Sequence, residues 1–122
     1  MATMKVNFKK LIRKFKVGKN QDIIISDLGD ISLNSNEQIT FLKDTGARYD
    51  FVSKDWGYYV TPSINGRLRS EGFKVALVEN EVGRLYVMAV ELSKLNNFED
   101  YCLNENQTLI EWLDDRERTT VC

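Results

Sequence analysis

The densest chemistry in the chain runs from Lys54 to Arg69, KDWGYYVTPSINGRLR. Trp56, Tyr58 and Tyr59 offer ring faces, while Asn65, Arg67 and Arg69 offer amide and guanidinium donors. Such faces beside such donors suit a sugar ring, a nucleobase or a phosphate-bearing metabolite. Thr61-Pro62-Ser63 has the form of a helix start, with Thr at the N-cap and Pro at the first helical position. The unpaired N–H groups of that turn, joined by the Ser63 hydroxyl, favour an anion. In an extended segment Trp56 and Tyr58 share one face and Tyr59 takes the other, so at least one face is needed for packing. A catalytic alternative uses Asp55 as acid and base, with Arg67 or Arg69 holding phosphate, on a carbohydrate or nucleotide-sugar.

Much other chemistry is absent. The chain has no histidine, which removes histidine bases, triads and metal ligands together. It contains no G-x-S-x-G, phosphate loop, G-x-G-x-x-G or C-x-x-C. Asp27-x-Gly29-Asp30, followed by Asn34, Asn36 and Glu37, departs from the EF-hand spacing and reads as turn chemistry. No metal and no cofactor is therefore expected, and the leading expectation is a non-catalytic accessory or binding module. The partner would be a protein or a small polar metabolite.

A second candidate surface comes from charge. The net charge of −1 conceals a split, because residues 1–19 hold seven of the 17 basic residues and no acid. Residues 5–16, KVNFKKLIRKFK, place Phe8, Leu11, Ile12 and Phe15 at i, i+3, i+4 and i+7. That is the stripe of an amphipathic helix, with Lys9, Lys10, Arg13 and Lys14 among the residues of the other face. The expected helix could pack on its own acidic body, dock on a partner protein, or lie on an anionic membrane. Direct nucleic-acid binding is not expected, since the remainder is acidic and carries no recognition motif. Cys102 and Cys122 make no disulfide framework, and the N-terminus shows no continuous apolar leader, so a reducing cytoplasm is the expected compartment.

The elements that must position these residues read as α+β. Gln38–Lys43 and Arg48–Ser53 flank the turn Asp44-Thr45-Gly46-Ala47 as a hairpin. Asp22–Ser26, Phe73–Glu79 and Arg84–Glu91 read as strands, and Trp56–Thr61 as extended chain. A short helix carrying Ile64 and Leu68 is expected before Gly72. A second follows Ser93 with Leu95, Phe98, Tyr101 and Cys102 on one side. Gln107–Leu113 can be a capped helix or an edge strand, and the strand is preferred because it returns beside the sheet. The expected whole is a single domain: a mostly antiparallel sheet of five or six strands and two or three short helices. Residues 1–19 form its basic head, 20–113 its body and 114–122 a charged, frayed tail.

The block WGYYVTPSINGRLRSEGFKVALVENEVGRLYVMAVE, with NFEDYCLNENQTLIEWLDD after it, resembles a group of short uncharacterised bacterial proteins. Those proteins are associated with surface-polysaccharide and flagellin-glycosylation loci. The resemblance covers roughly residues 37–115 and omits the basic head. It implies an accessory role linked to surface carbohydrate and brings no catalytic residue with it.

Overall fold

The computed structural model describes residues 5–116. Within them eight strands form three antiparallel sheets, with one helix longer than a single turn. The α+β class and the antiparallel pairing match expectation, but three small sheets replace one sheet of five or six strands. The chain divides into two compact units, Met1–Thr61 and Pro62–Cys122, in place of a single domain.

Unit 1 opens with the largest departure from expectation. Residues 5–16 are not a helix: β1 (Lys5–Val17) pairs antiparallel with β2 (Ile23–Ser32) in a two-stranded ribbon. The reason lies in the sequence around the helical stripe. Val6-Asn7-Phe8 and Lys14-Phe15-Lys16-Val17 also alternate with period two, and Ile23-Ile24-Ile25 supplies a β-branched partner. A lone helix of this length gains little in water, whereas the ribbon satisfies its backbone across strands. Gly18 (φ 95°) and Gln21 (φ 56°) make the connecting turn, closed by Gln21 N–H donating to the Gly18 carbonyl at 3.2 Å.

The ribbon is bulged. Phe8 faces Gly29 and Arg13 faces Asp27, so Lys9–Ile12 lie opposite Leu28 alone. Gly29 belongs here because a Cβ on it would stand 1.9 Å from the Asn7 carbonyl oxygen. The expected loop around Asp27 and Asp30 is therefore strand. Its turn chemistry survives locally, as Asp27 accepts the Gly29 N–H at 3.2 Å.

The second sheet of unit 1 is a meander of β3 (Gln38–Leu42), β4 (Arg48–Lys54) and β5 (Gly57–Val60). The expected hairpin about residues 44–47 forms, with Gly46 at φ 88°. Ile39, Phe41, Tyr49, Phe51 and Tyr58 share one face of this sheet by register. Phe51 lies 5.3 Å from Phe41 and 5.4 Å from Tyr49, centroid to centroid. On the other face Asp50 is buried and accepts the Thr40 hydroxyl at 2.6 Å.

Unit 2 places β6 (Phe73–Glu79) between β7 (Leu85–Glu91) and β8 (Thr108–Trp112). The strand preference at 107–113 thus holds. The helix expected across 62–72 shrinks to the single turn α1 (Arg67–Ser70), because Asn65 and Gly66 are poor helix formers. The helix after Ser93 is α2 (Leu95–Asn104), entered through a 3-10 turn at Leu92–Lys94. Leu68, Phe73, Val75, Ala76, Val78 and Val90 form the buried core, and Phe98 packs against Trp112 at 5.7 Å.

The segment from Asp114 is also not a frayed tail at its start. The Asp114 side chain is 0% exposed. Its Oδ1 accepts the Val75 N–H at 3.1 Å, and its Oδ2 accepts Lys74 Nζ at 3.0 Å. Arg69 adds donors to the Asp114 carbonyl at 2.7 Å and to Asp115 at 3.0 Å. Cys122 and the end of the expected tail lie outside the described residues.

Candidate functional site

The site expected from Trp56 to Arg69 is divided between the two units, its aromatic half in unit 1 and its polar half in unit 2. Trp56 sits in the turn Asp55-Trp56 between β4 and β5, which removes it from the strand alternation. It stacks on Tyr59, with centroids 6.2 Å apart and planes 16° apart, and does not share a face with Tyr58. All three rings are exposed, so none serves as core.

The polar half of that site belongs to unit 2, and much of it is engaged in structure. The Ser63 hydroxyl accepts the Arg67 N–H at 3.2 Å, and the Ser63 carbonyl accepts those of Gly66 and Leu68. These bonds engage the N–H groups of Gly66, Arg67 and Leu68, and a one-turn helix has almost no dipole to offer an anion. Arg69 is committed to Asp114 and Asp115. Asn65 and Arg67 are exposed. Asp55 is exposed in its turn.

What unit 1 does assemble is a cavity of about 430 Å³ lined by Ile31, Leu33, Ile39, Phe41, Phe51 and Tyr58. Its volume falls within the range of small-molecule and side-chain pockets. Two elements build it. The face of the meander supplies Ile39, Phe41, Phe51 and Tyr58, and the end of β2 and the residue after it supply Ile31 and Leu33. Of these residues the sequence singled out only Tyr58. Strand alternation marks Ile39, Phe41 and Phe51 as one face, but Ile31 and Leu33 come from beyond the hairpin.

An internal contrast sets unit 1 apart. Among the described residues, every buried apolar side chain of the chain lies in unit 2. Phe41 and Tyr58, on the same face of the meander, remain 49% and 72% exposed. Globular units ordinarily hide such rings, and a contiguous exposed patch marks an interaction surface.

The ribbon residues also find definite places. Phe8 and Leu11 are 78% and 88% exposed, Ile12 is exposed, and Phe15 is half-buried. Lys9 and Arg13 approach Asp27 at 3.6 and 3.3 Å, and Arg13 lies over the Phe15 ring. Desolvation pushes the Asp27 carboxyl up, but Lys9, Arg13 and the Gly29 N–H outweigh it and hold it below its ordinary 3.8. Lys10 and Lys14 are exposed.

In unit 2, burial and the neighbouring Glu99 push the Cys102 thiol above its ordinary value, so it stays protonated and unreactive at neutral pH. No group of three or more Cys, Asp or Glu side chains among the described residues is placed to hold a metal. No described helix is long and apolar enough to cross a membrane. No family model, curated protein or solved structure matches this chain.

Proposed function

We propose that the protein is a non-catalytic binding module in which unit 2 is the folded scaffold and unit 1 carries the binding surface. The observation that carries this is the contrast in burial: six core side chains in unit 2 and none among the described residues of unit 1. The apolar face of the β3–β4–β5 meander, with its cavity, is the surface a partner covers. Six lining residues without a carboxylate, amine or thiol suit binding. Their chemistry selects an apolar or aromatic side chain of a protein partner over a small polar metabolite. An accessory place in bacterial surface-carbohydrate synthesis is the setting that the sequence resemblance suggests.

The test is cross-linked capture from native lysate with the full chain and a Phe41→Ser/Tyr58→Ser variant. Both must first show the same circular dichroism. A partner captured by the parent and lost by the variant supports the reading. Equal capture by both, or a partner lost only with Asn65→Ala/Arg67→Ala, overturns it.

The Trp56–Tyr59 stack favours a second reading, an aromatic platform for a sugar ring. In a Trp112→Phe background the remaining indole fluorescence reports Trp56 alone. Saturable change on adding oligosaccharide supports the platform, and a flat titration removes it.

A further inference from the structure

The β1–β2 ribbon combines two features that the cavity does not explain. Residues Lys5–Ser32 carry seven bases against Asp22, Asp27 and Asp30, a net +4 in a chain whose total is −1. Asp27 engages Lys9 and Arg13. Lys5, Lys10, Lys14 and Lys16 have no hydrogen-bond or ion-pair partner among the described residues. By register Lys5, Lys14 and Lys16 share a face of the ribbon with Ile24 and Leu28, which are 61% and 56% exposed, while Phe8 stands on the opposite face and Leu11, 88% exposed, lies with Lys10 in the bulge. The bulge leaves Leu11 and Ile12 without cross-strand partners, so nothing in the ladder covers them.

We propose that the ribbon face bearing Lys5, Lys14 and Lys16, with the adjoining bulge, is a docking surface for an anionic lipid bilayer, with Leu11, Ile24 and Leu28 entering the acyl boundary and the four lysines at headgroup level. Charge complementarity selects an anionic partner. The interleaved apolar side chains select among anionic partners. A phosphodiester backbone would engage the lysines and leave Leu11, Ile24 and Leu28 in water, whereas a bilayer interface accommodates both kinds of side chain. Long lysine stems can lie along the apolar boundary while their ammonium groups stay at the phosphates. This surface differs from the cavity of the meander, and either can fail without the other.

The experiment is co-sedimentation of the full chain with two kinds of vesicle. One is phosphatidylcholine alone, the other phosphatidylcholine mixed with phosphatidylglycerol. Binding is expected to the mixed vesicles only, and to weaken as salt is raised. Each lysine near an anionic surface contributes a factor of about five, so Lys10→Gln/Lys14→Gln/Lys16→Gln should weaken binding roughly 100-fold. Leu11→Ser, at an exposed position, should weaken it further without changing the circular dichroism. Leu11→Ala serves as a second variant if the first perturbs folding.

No binding to mixed vesicles, or equal binding to both kinds, overturns the proposal. So does binding that both Leu11 variants leave unchanged, since that is plain attraction to a polyanion. Tighter binding to duplex DNA or polyglutamate than to mixed vesicles would assign the ribbon to an acidic polymer.

Discussion

Asp114 makes the sharpest test of how unit 2 is held together. Replacing it with alanine removes the acceptor of the buried Val75 N–H and the partner of Lys74 Nζ. An unsatisfied buried amide costs about 1–3 kcal/mol, and a lost charged hydrogen bond about 1.5–3. Lys74 is 18% exposed and still reaches Asp115 at 3.0 Å, so part of the second loss is recovered. The sum is about 3 kcal/mol for Asp114→Ala, on the order of 10 °C in unfolding midpoint for a chain of this size. Asp114→Asn keeps an oxygen for Val75 N–H and loses only the charge, so about 1–2 kcal/mol is expected. The assay is urea unfolding followed by the fluorescence of Trp112, whose ring lies 5.0 Å from Lys74 Nζ, with Trp56→Phe as background.

The same site sets a pH dependence. Burial alone would raise the Asp114 carboxyl, but the Val75 N–H and Lys74 ammonium outweigh it and hold it below 3.8. A carboxyl depressed in the folded state stabilises fully above its unfolded value near 3.8. That contribution fades as pH falls through the lower folded value. Desolvation would lower Lys74, but Asp115 and Asp114 raise it above 10.5. Its contribution is complete below 10.5 and is lost as pH rises through the folded value. Alanine and asparagine variants that both lose less than about 0.5 kcal/mol would refute the account, since that is the scatter of ordinary surface substitutions. So would an acid limb of stability unchanged in Asp114→Asn.

Two further perturbations probe unit 1. Gly29→Ala forces a Cβ against the Asn7 carbonyl at a φ of 147° and should cost at least ~2 kcal/mol. Gly46→Ala, with open space around it, should cost about 1 kcal/mol from backbone strain alone. Amide exchange of β1 and β2 for the first, and of β3 and β4 for the second, checks the pair, and equal effects would mean the close approach is absent. Thr40→Val removes the 2.6 Å hydrogen bond to buried Asp50 and should cost about 1–3 kcal/mol, read from thermal unfolding. No change would mean that the carboxylate is satisfied by its other partners.

The elements legible in the sequence are those with a strong local signal. Phe73–Glu79 and Leu85–Glu91 are apolar runs with a turn between them, and the hairpin of β3 and β4 announces its Gly46 turn. Part of the cavity was legible too, since Phe41 and Phe51 fall on one strand face. Its remaining wall was not, because Ile31 and Leu33 join it only through the path of the chain. The helix expected from Pro62 starts late for a local reason that composition hides: the turn closes on Ser63 itself, whose carbonyl and hydroxyl accept the N–H groups of Gly66, Arg67 and Leu68.

Residues 5–17 show where sequence reading ends. Phe8, Leu11, Ile12 and Phe15 fit a helical face, while Val6 with Phe8 and Phe15 with Val17 each alternate as strand, out of phase with one another until the bulge brings them into register. Both periods are present, and the choice between them rests on β2, which offers backbone partners across the Gly18 turn. Asp114 is the same lesson in unit 2. Nothing in LDDRER marks one carboxylate as buried and its neighbour as exposed. That distinction comes from the Val75 N–H, 39 residues away, which Asp114 reaches and Asp115 does not. Composition and local pattern sufficed for the α+β class, the basic head and the absence of histidine chemistry. Which face of each element is covered depended on pairings between distant residues, and those exist only once the chain has folded.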